Sequence, residues 1–505
     1  MNQLKAGALL NYIAIGLNMV VGLLYTPYML RMLGQSEYGL YSLAASIIAY
    51  LTVLDLGFGN AIIRYTAKFR AENKVEEQKE MFGMFLILYV GIGIIAMIAG
   101  AVLTLNVENM FSATMTANEV HRTKIMLWLM TFNLAFTFPM SIWGSIMTAY
   151  EQFVFPRIIS IIRSVLNPLV MVGLLAIGYK AVAMVVVTTI FNVLTLIINY
   201  WYCKNKLHIE VKFGHFDWSF LKEVAIYSFW IFLNVIMDRI YWSTGQFVLG
   251  IFQGAVAIAV YAVAIQLQQM YMMFSTAISG VFLPKVTAMV TKENNKKAIS
   301  DLFVRTGRIQ YVVMALILTG FIVFGKTFIG FWAGDGYEDS YVISLLFFVP
   351  LTIPLIQNLG ITILQARNQM KFRSLLYIAI SIGSLGISIP LAKFYGGIGC
   401  ALGTSIALTL GQIIIMNIYY YKRQYLDIPF FWKEICKMSI VPVLFIVLYI
   451  VFKNQINTFL SANLGYWIIG VILFLALYLP LFWIFSMNKH ERDLIKSPIL
   501  KIFKR

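Results

Sequence analysis

Asp55, Arg163, Asp238 and Arg239 are charged side chains that fall inside apolar stretches long enough to cross a bilayer. A charge at the centre of a membrane helix costs roughly 2.5–3.5 kcal/mol even on lenient insertion scales. Each must therefore find a partner or serve the protein's task. Arg239 lies roughly 16 residues beyond Glu223, which at about 1.5 Å per residue puts it near mid-membrane. Its planar guanidinium is suited to gripping a phosphate through two parallel N–H groups. Asp238 is its neighbour, but adjacent residues of a helix do not face each other, so the two want separate partners. Asn234, Asp238, Tyr241 and Gly245 recur at i, i+4, i+7 and i+11 and share one helix face, with Gln246 further toward the outside. The plainer reading is an Asp–Arg pair that neutralises itself or bonds another helix.

Asp55 stands in "YLTVLDLGFGNAIIRYTAKFR" (50–70), nine residues before Arg64 and therefore too far along the axis to pair with it. Gly57 and Gly59 permit a kink or a close helix approach. Two readings stay open: a structural partner such as Arg163, or a protonatable carboxyl that couples movement of a substrate to H+ or Na+. Two polar stripes add to the inventory. One is Asn11, Asn18 and Tyr25 at seven-residue spacing, and the other is Gln266, Gln268 and Gln269 within one turn. Either they hold helices together, at about 0.6–2 kcal/mol per bond, or they line a polar cavity able to bind sugar hydroxyls. Trp128, Trp143, Trp230 and Trp242 each have two readings, stacking on sugar faces or, near helix ends, belonging to an interfacial belt.

The elements that position these residues follow from composition. Of 505 residues 60% are hydrophobic and only 12% charged, with mean hydropathy +0.80; soluble domains are about a quarter charged. The chain reads as an all-α polytopic membrane protein. Its net charge of +17 does not mark a nucleic-acid binder, because the basic residues lie in short loops between apolar runs and not on a soluble module. Fourteen runs reach spanning length, near 7–30, 40–63, 82–105, 125–149, 158–178, 181–202, 225–250, 255–283, 309–332, 341–364, 374–394, 397–420, 438–453 and 464–486. Most of the 39 Lys and Arg fall on the side that holds both termini, which the positive-inside rule makes cytoplasmic. The first run lacks an A-x-A-like cleavage site and reads as a retained helix. Cys203, Cys400 and Cys436, and the four scattered histidines, have no ligand-like spacing, so neither a disulfide nor a metal site is expected.

The two halves also repeat. "LNMVVGLLYTPYMLRMLG" (17–34) matches "LNVIMDRIYWSTGQFVLG" (233–250), and Tyr41 pairs with Tyr261 after a longer loop. "AYEQFVF" (149–155) matches "ARNQMKF" (366–372), and "NYWYCK" (199–204) falls against "NIYYYK" (417–422). The expected organisation is an N-lobe of helices 1–6 (1–203), a cytoplasmic linker (204–224), a C-lobe of helices 7–12 (225–423), and helices 13–14 with a basic cytoplasmic tail (424–505).

"LGQSEYGLYSLAASIIAYLTVLDLGFGNAIIRYTAKFRAEN" (33–73) resembles the helix 1–2 signature of the polysaccharide-biosynthesis flippases, of the multidrug/oligosaccharidyl-lipid/polysaccharide exporter superfamily. The resemblance implies a MATE-like fold of two six-helix lobes around a cavity. It implies export of an undecaprenyl-diphosphate-linked oligosaccharide across a bacterial inner membrane, for O-antigen, capsule or a similar surface polymer. By the same analogy Arg239, with Arg64 and Arg163 nearer the cytoplasmic entrance, would meet the lipid phosphates. Asn234, Tyr241, Gln246, Asn18, Gln266 and Gln269 would meet phosphate or sugar, and Asp55 and Asp238 are candidates for ion coupling. The expected partners are the lipid-linked oligosaccharide, membrane lipids and other polysaccharide-assembly proteins, with the chain working as a monomer and no cofactor.

There is no G-x-x-x-x-G-K-[ST], so energy would come from ion gradients, membrane potential or consumption of product. The alternatives are a flippase of lipid II-type cell-wall precursors, a cation-coupled multidrug exporter, and a membrane-embedded polysaccharide polymerase. The polymerase is disfavoured because the longest outside gap, 106–124, holds only Glu108 and Glu119 as acids.

Overall fold

A computed structural model of the protein describes residues 3–214, 218–279, 286, 289–290, 295–367 and 369–493. Among the described residues the regular elements are helical. The chain runs α1 (Gln3–Leu33), α2 (Gln35–Leu51), α3 (Phe58–Ala71), α4 (Val75–Phe111), α5 (Ala117–Ala149), α6 (Val154–Ala176), α7 (Ala181–Asn205), α8 (Trp218–Phe252) and α9 (Ala255–Ser279). It continues through α10 (Lys296–Ala333), α11 (Asp339–Ile356), α12 (Asn358–Ala366), α13 (Lys371–Leu408) and α14 (Met416–Lys422). The last elements are α15 (Ile428–Met438), α16 (Ile440–Val451), α17 (Lys453–Ser461) and α18 (Leu464–Phe485). Eleven helices in the described residues are long and apolar enough to cross a membrane, or up to twelve when the pair α15 and α16, bent by 48°, is one span. The protein is a multi-pass membrane protein. Fourteen apolar runs become fewer uninterrupted helices partly because two of them join in one stretch, Lys371–Lys422, which turns at Gly396 (φ 57°, ψ −138°).

By contact the chain divides into two compact units, residues 1–262 with 389–400 and residues 263–388 with 401–505. In the first, α4 and α5 pack closely where α4 offers glycine. A Cβ at Gly93 would lie 2.7 Å from the Ala135 carbonyl oxygen, and one at Gly100 would lie 2.4 Å from the Thr131 hydroxyl. Such close approach matters in lipid, where helices gain nothing from hiding apolar surface from water. Phe82, Phe85 and Tyr89 of α4, Ile142 and Ile146 of α5, and Ile62 and Tyr65 of α3 form the core, each at most 3% exposed. The opposite face of α4 shows Ile87, Val90, Ile94, Ile98, Val102 and Leu105 at helical spacing, all 46–71% exposed. A stripe of that kind suits acyl chains, not water.

The run read as one helix over 40–63 is interrupted. A 3-10 turn at Thr52–Asp55 is followed by Leu56 (φ 52°) and Gly57 (φ 75°), both left-handed, before α3 begins at Phe58. Gly57 supplies the conformation that a Cβ would oppose. Gly59 is helical and makes room instead: a Cβ there would lie 3.3 Å from Ser145 Oγ.

Some local geometry recurs between the matched sequence segments. α1 passes to α2 through Gly34 (φ 76°), and α8 passes to α9 through Gly254 (φ 86°), although the sequence match sets Gly34 against helical Gly250, four residues earlier. Phe155 stacks on Tyr202 at 4.0 Å, and Phe372 stacks on Tyr419 at 4.0 Å. The sequence match instead sets Tyr202 against Tyr420, so the stacks are offset by one residue.

In the second unit α10 is the post on which the last spans lean, through Val323, Phe324, Tyr449, Phe474 and Tyr478. The sequence begins the corresponding run at 309, whereas α10 begins at Lys296, where Asn295 Oδ1 accepts the Ala298 N–H at 3.1 Å. Similarly, the run at 438–453 is preceded by α15, whose Lys433, Glu434 and Lys437 lower its hydropathy although its Phe431, Ile435 and Met438 are buried. Charges depress a sliding apolar average without ending a helix, so α10 extends well before the apolar run at 309, whereas α16, from Ile440, keeps to the run at 438–453 and α15 is a separate helix bent from it.

Candidate functional site

Asp55 closes the 3-10 turn, half-buried. Tyr89, fully buried on α4, donates its phenol O–H to Asp55 Oδ1 at 3.0 Å. The Gly57 backbone N–H also bonds the Asp55 carboxylate, an aspartate turn two residues long. The carboxylate thus sits just before the first turn of α3, where helix N–H groups favour negative charge. Arg163, suggested as its partner by the sequence, is engaged elsewhere.

Arg163 lies near the middle of α6 and donates from Nη1 to Asn192 Oδ1 on α7 at 2.9 Å. Asn192 Nδ2 donates to Asn133 Oδ1 and to Thr137 Oγ1 on α5, each at 2.8 Å. Thr137 in turn donates to the Asn133 carbonyl at 2.7 Å. Three helices are joined by one polar cluster, and all four side chains are half-buried. Sequence reasoning missed Asn133, Thr137 and Asn192. The detectable signal was the i, i+4 spacing of Asn133 and Thr137 inside an apolar helix.

Arg239 is half-buried near the middle of α8, and its Nε is buried with no hydrogen-bond partner among the described residues. Around it, Asp238 is exposed, Gln246 half-buried and Tyr241 only 3% exposed, its ring edge-on to Trp242 at 4.7 Å. The side chain of Asn234 lies outside the described residues. Gly245, on the same face, has a packing reason, since the Tyr261 hydroxyl lies 2.5 Å from where its Cβ would be. One turn away Thr244 shares a hydrogen bond with Tyr50 of α2, a contact the sequence did not suggest.

The remaining candidates are dispersed. Arg64 is exposed on α3, its guanidinium 5.6 Å from the Tyr65 ring centre. Asn18 is exposed on α1. Gln266 is half-buried and Gln269 exposed on α9, in the second unit. Their neighbour Gln268 is 1% exposed, with Nε2 2.6 Å from Met272 Sδ and an Oε1 that has no partner among the described residues. Trp143 is 5% exposed in the core of the first unit, so it packs and is no free stacking platform.

Other charges are committed to architecture. Glu37, buried at the start of α2, pairs with Arg122 of α5 and accepts the Ala181 N–H at the start of α7 at 3.3 Å. A cavity of about 680 Å³ opens beside this pair, with Lys180 at its polar end and Val182, Val186 and Val187 along its wall. A second cavity, of about 590 Å³, is walled by Glu76, Lys79, Glu210 and Lys212. Lys79 bonds Glu210 at 2.7 Å and Glu76 at 3.0 Å, while Lys212 bonds Glu80 at 3.2 Å and Glu76 at 3.3 Å. The carboxylates beside Lys212 raise its pKa, hydrogen bonding to Glu80 first among the causes. Lys212 N–H also donates to the Lys79 carbonyl at 3.2 Å, so the segment after α7 is fastened to α4. In the second unit Arg308, 5% exposed, donates to both Glu491 oxygens at 2.5 and 3.0 Å and to Glu434 at 2.6 Å.

Two units of long apolar helices with polar clusters held at mid-helix describe a membrane transporter fold. The solved structures that share it include two that illustrate its range. One, the lipid II flippase MurJ in an inward closed conformation, superposes with TM-score 0.66 at 15% identity over 89% of this chain and 99% of that one. The other, an inward-facing multidrug resistance MATE family transporter of the MOP superfamily, gives 0.63 at 13% identity over 83% and 99%. The "Putative O-antigen transporter" of Shigella flexneri is 21% identical over 406 residues, 78% of this chain and 92% of that protein. The profile of the polysaccharide biosynthesis protein family matches residues 4–290, and the chain belongs to that family.

Proposed function

We propose that the protein is a flippase. It carries an undecaprenyl-diphosphate-linked oligosaccharide from the cytoplasmic to the outer leaflet of a bacterial inner membrane, for surface polysaccharide assembly. The observation that carries the reading is a pair of mid-helix arginines, Arg163 and Arg239, with no carboxylate partner among the described residues, in a chain of this family. A cation left unneutralised in a membrane helix is costly unless an anion visits it, and a diphosphate is such an anion. Arg239, Arg163 and Arg64 are assigned to the diphosphate. Asn234, Tyr241, Gln246, Asn18, Gln266 and Gln269 are assigned to the glycan and its phosphates.

The working architecture is fourteen spans with both termini cytoplasmic, as two six-helix lobes (1–203 and 225–423) joined by 204–224, with 424–505 appended. The recurring glycine turns at Gly34 and Gly254, and the paired stacks of Phe155 and Phe372, support the duplication. The lobes alternate access, the chain acts as a monomer, and H+ or Na+ binding at Asp55 or Asp238 couples the step. No part of the chain is assigned catalysis, as its relatives are transporters.

The test is to extract lipid-linked saccharides from cells lacking the protein and identify them by mass spectrometry. Complete repeat units accumulating on undecaprenyl diphosphate are expected. Accumulating cell-wall precursor would mark a lipid II flippase, and an unchanged pool with intact surface polymer would leave drug export as the better reading.

A further inference from the structure

Several of the described arginines are bonded by acids or backbone from other helices. Arg308 is surrounded by Glu434 and Glu491, Arg122 by Glu37, and Arg70 bonds the Ala149 carbonyl while lying over the Tyr150 ring at 4.1 Å. These are satisfied and hold helices together. Arg163, at mid-helix, differs from these, because its one hydrogen bond among the described residues goes to a neutral amide that is itself fixed; Arg367 bonds a held amide too, that of Gln424, but just past the end of α12 and with the Gln424 carbonyl as a second acceptor. Asn192 can face only one way. Its NH2 group meets two acceptors, Asn133 Oδ1 and Thr137 Oγ1, and the Thr137 proton is already given to the Asn133 carbonyl. Turning the amide over would set its NH2 against a guanidinium, which cannot accept, and would require Asn133 and Thr137 to turn as well. The Asn192 oxygen is therefore locked onto Arg163 Nη1, and of the five guanidinium N–H groups one is used to aim the rest.

We infer that Asn192, locked by Asn133 and Thr137, is a positioning residue that holds Arg163 ready to grip a phosphate group within the membrane. This rests on the assignment of Arg163 to the diphosphate and deepens it. A neutral anchor has a purpose that a carboxylate would defeat, since it orients the guanidinium without cancelling its charge. A purely structural cluster would gain from an aspartate at 192, whereas an anion site would be quenched by one.

That contrast is the test. Purified full-length protein is titrated with farnesyl diphosphate and, separately, with farnesol, which shares the chain and lacks the phosphates. Wild type is expected to prefer the diphosphate. Asn192→Asp gives Arg163 an ion pair, which the Asn133 amide and Thr137 hydroxyl can accommodate by reorienting. It should keep the melting temperature and farnesol binding while losing about tenfold or more in diphosphate affinity. Arg163→Ala should lose the same preference. Thr137→Val removes one lock while keeping the shape, and should cost part of it, which also serves if Asn192→Asp fails to fold. Unchanged diphosphate binding in Asn192→Asp or, failing that variant, in Thr137→Val overturns the positioning role while leaving Arg163 in place if Arg163→Ala is impaired. Wild-type binding in Arg163→Ala removes Arg163 from the phosphate site altogether. Inorganic diphosphate as competitor separates the two sources of phosphate: competition marks recognition of the free group, and its failure marks a need for the prenyl chain.

Discussion

Tyr89→Phe is the sharpest test of how Asp55 is held. The substitution keeps a ring that is fully buried and packed edge-on against Phe58 at 6.3 Å, and removes only the hydroxyl that donates to Asp55 Oδ1 at 3.0 Å. The magnitude depends on the charge state of the acceptor. A hydrogen bond to a neutral group contributes about 0.5–1.5 kcal/mol and one to a charged group about 1.5–3 kcal/mol. The assay is unfolding in mixed micelles for Tyr89→Phe, Asp55→Asn and the double variant. Asp55→Asn keeps a side-chain oxygen that can accept the Gly57 N–H, so the turn survives and the cycle reports the Tyr89–Asp55 bond. Tyr89→Phe is expected to cost at least about 0.5–1.5 kcal/mol, and less in the D55N background if the carboxylate is ionised. A cost near zero, with no coupling in the cycle, would refute the claim that Tyr89 compensates Asp55. Repeating export by the Asp55→Asn protein across sodium concentrations and pH then asks whether the residue couples. An unchanged ion response leaves Asp55 a purely structural acid.

Three further outcomes are expected. Arg308→Ala leaves Glu491, 2% exposed, without its guanidinium partner; breaking such a buried pair costs about 3–5 kcal/mol, read as a fall in melting temperature, while a loss under 1 kcal/mol would show the pair to be solvated. Gly57→Ala forces a Cβ into φ 75° at about 1–2 kcal/mol, again measured by unfolding, and a stabilised protein would mean that the break at 52–57 is not required. Arg239→Ala should abolish export while leaving the protein inserted, which surface-polymer staining beside membrane fractionation will show; export at the wild-type rate would remove it from the phosphate role.

The sequence shows the class and the long apolar helices, though not their count, because apolar length is a one-dimensional property, and a membrane leaves few alternatives for twenty apolar residues. It also carries the break in the second span, through Gly57 beside an aspartate. It does not carry partners. Asp55 was matched with Arg163 because both are charged, but Asp55 takes a phenol and a backbone N–H, and Arg163 takes an amide from α7. Neutral partners leave no charge signal in sequence, and Asn133, Thr137 and Asn192 come together only when α5, α6 and α7 pack. Conversely Arg308, read only as a topological charge, proves to be the most heavily bonded arginine described in the second unit. Its carboxylates lie more than a hundred residues downstream, beyond any local pattern.

The cost of an acid inside a membrane helix is met here by geometry. The chain stops being helical at the residue that carries the charge, and the turn presents the Gly57 N–H and the start of α3 to the carboxylate. Tyr89 reaches it from α4. Interrupted backbone at membrane depth is tolerated where protein or a hydrated cavity satisfies it, and the carboxylate is part of what satisfies it. A structural role and a coupling role are therefore not rivals at Asp55. A proton or sodium ion arriving there would compete with the same contacts that Asp55 makes at the turn between α2 and α3, so the residue at the break is also the one through which an ion would act on it.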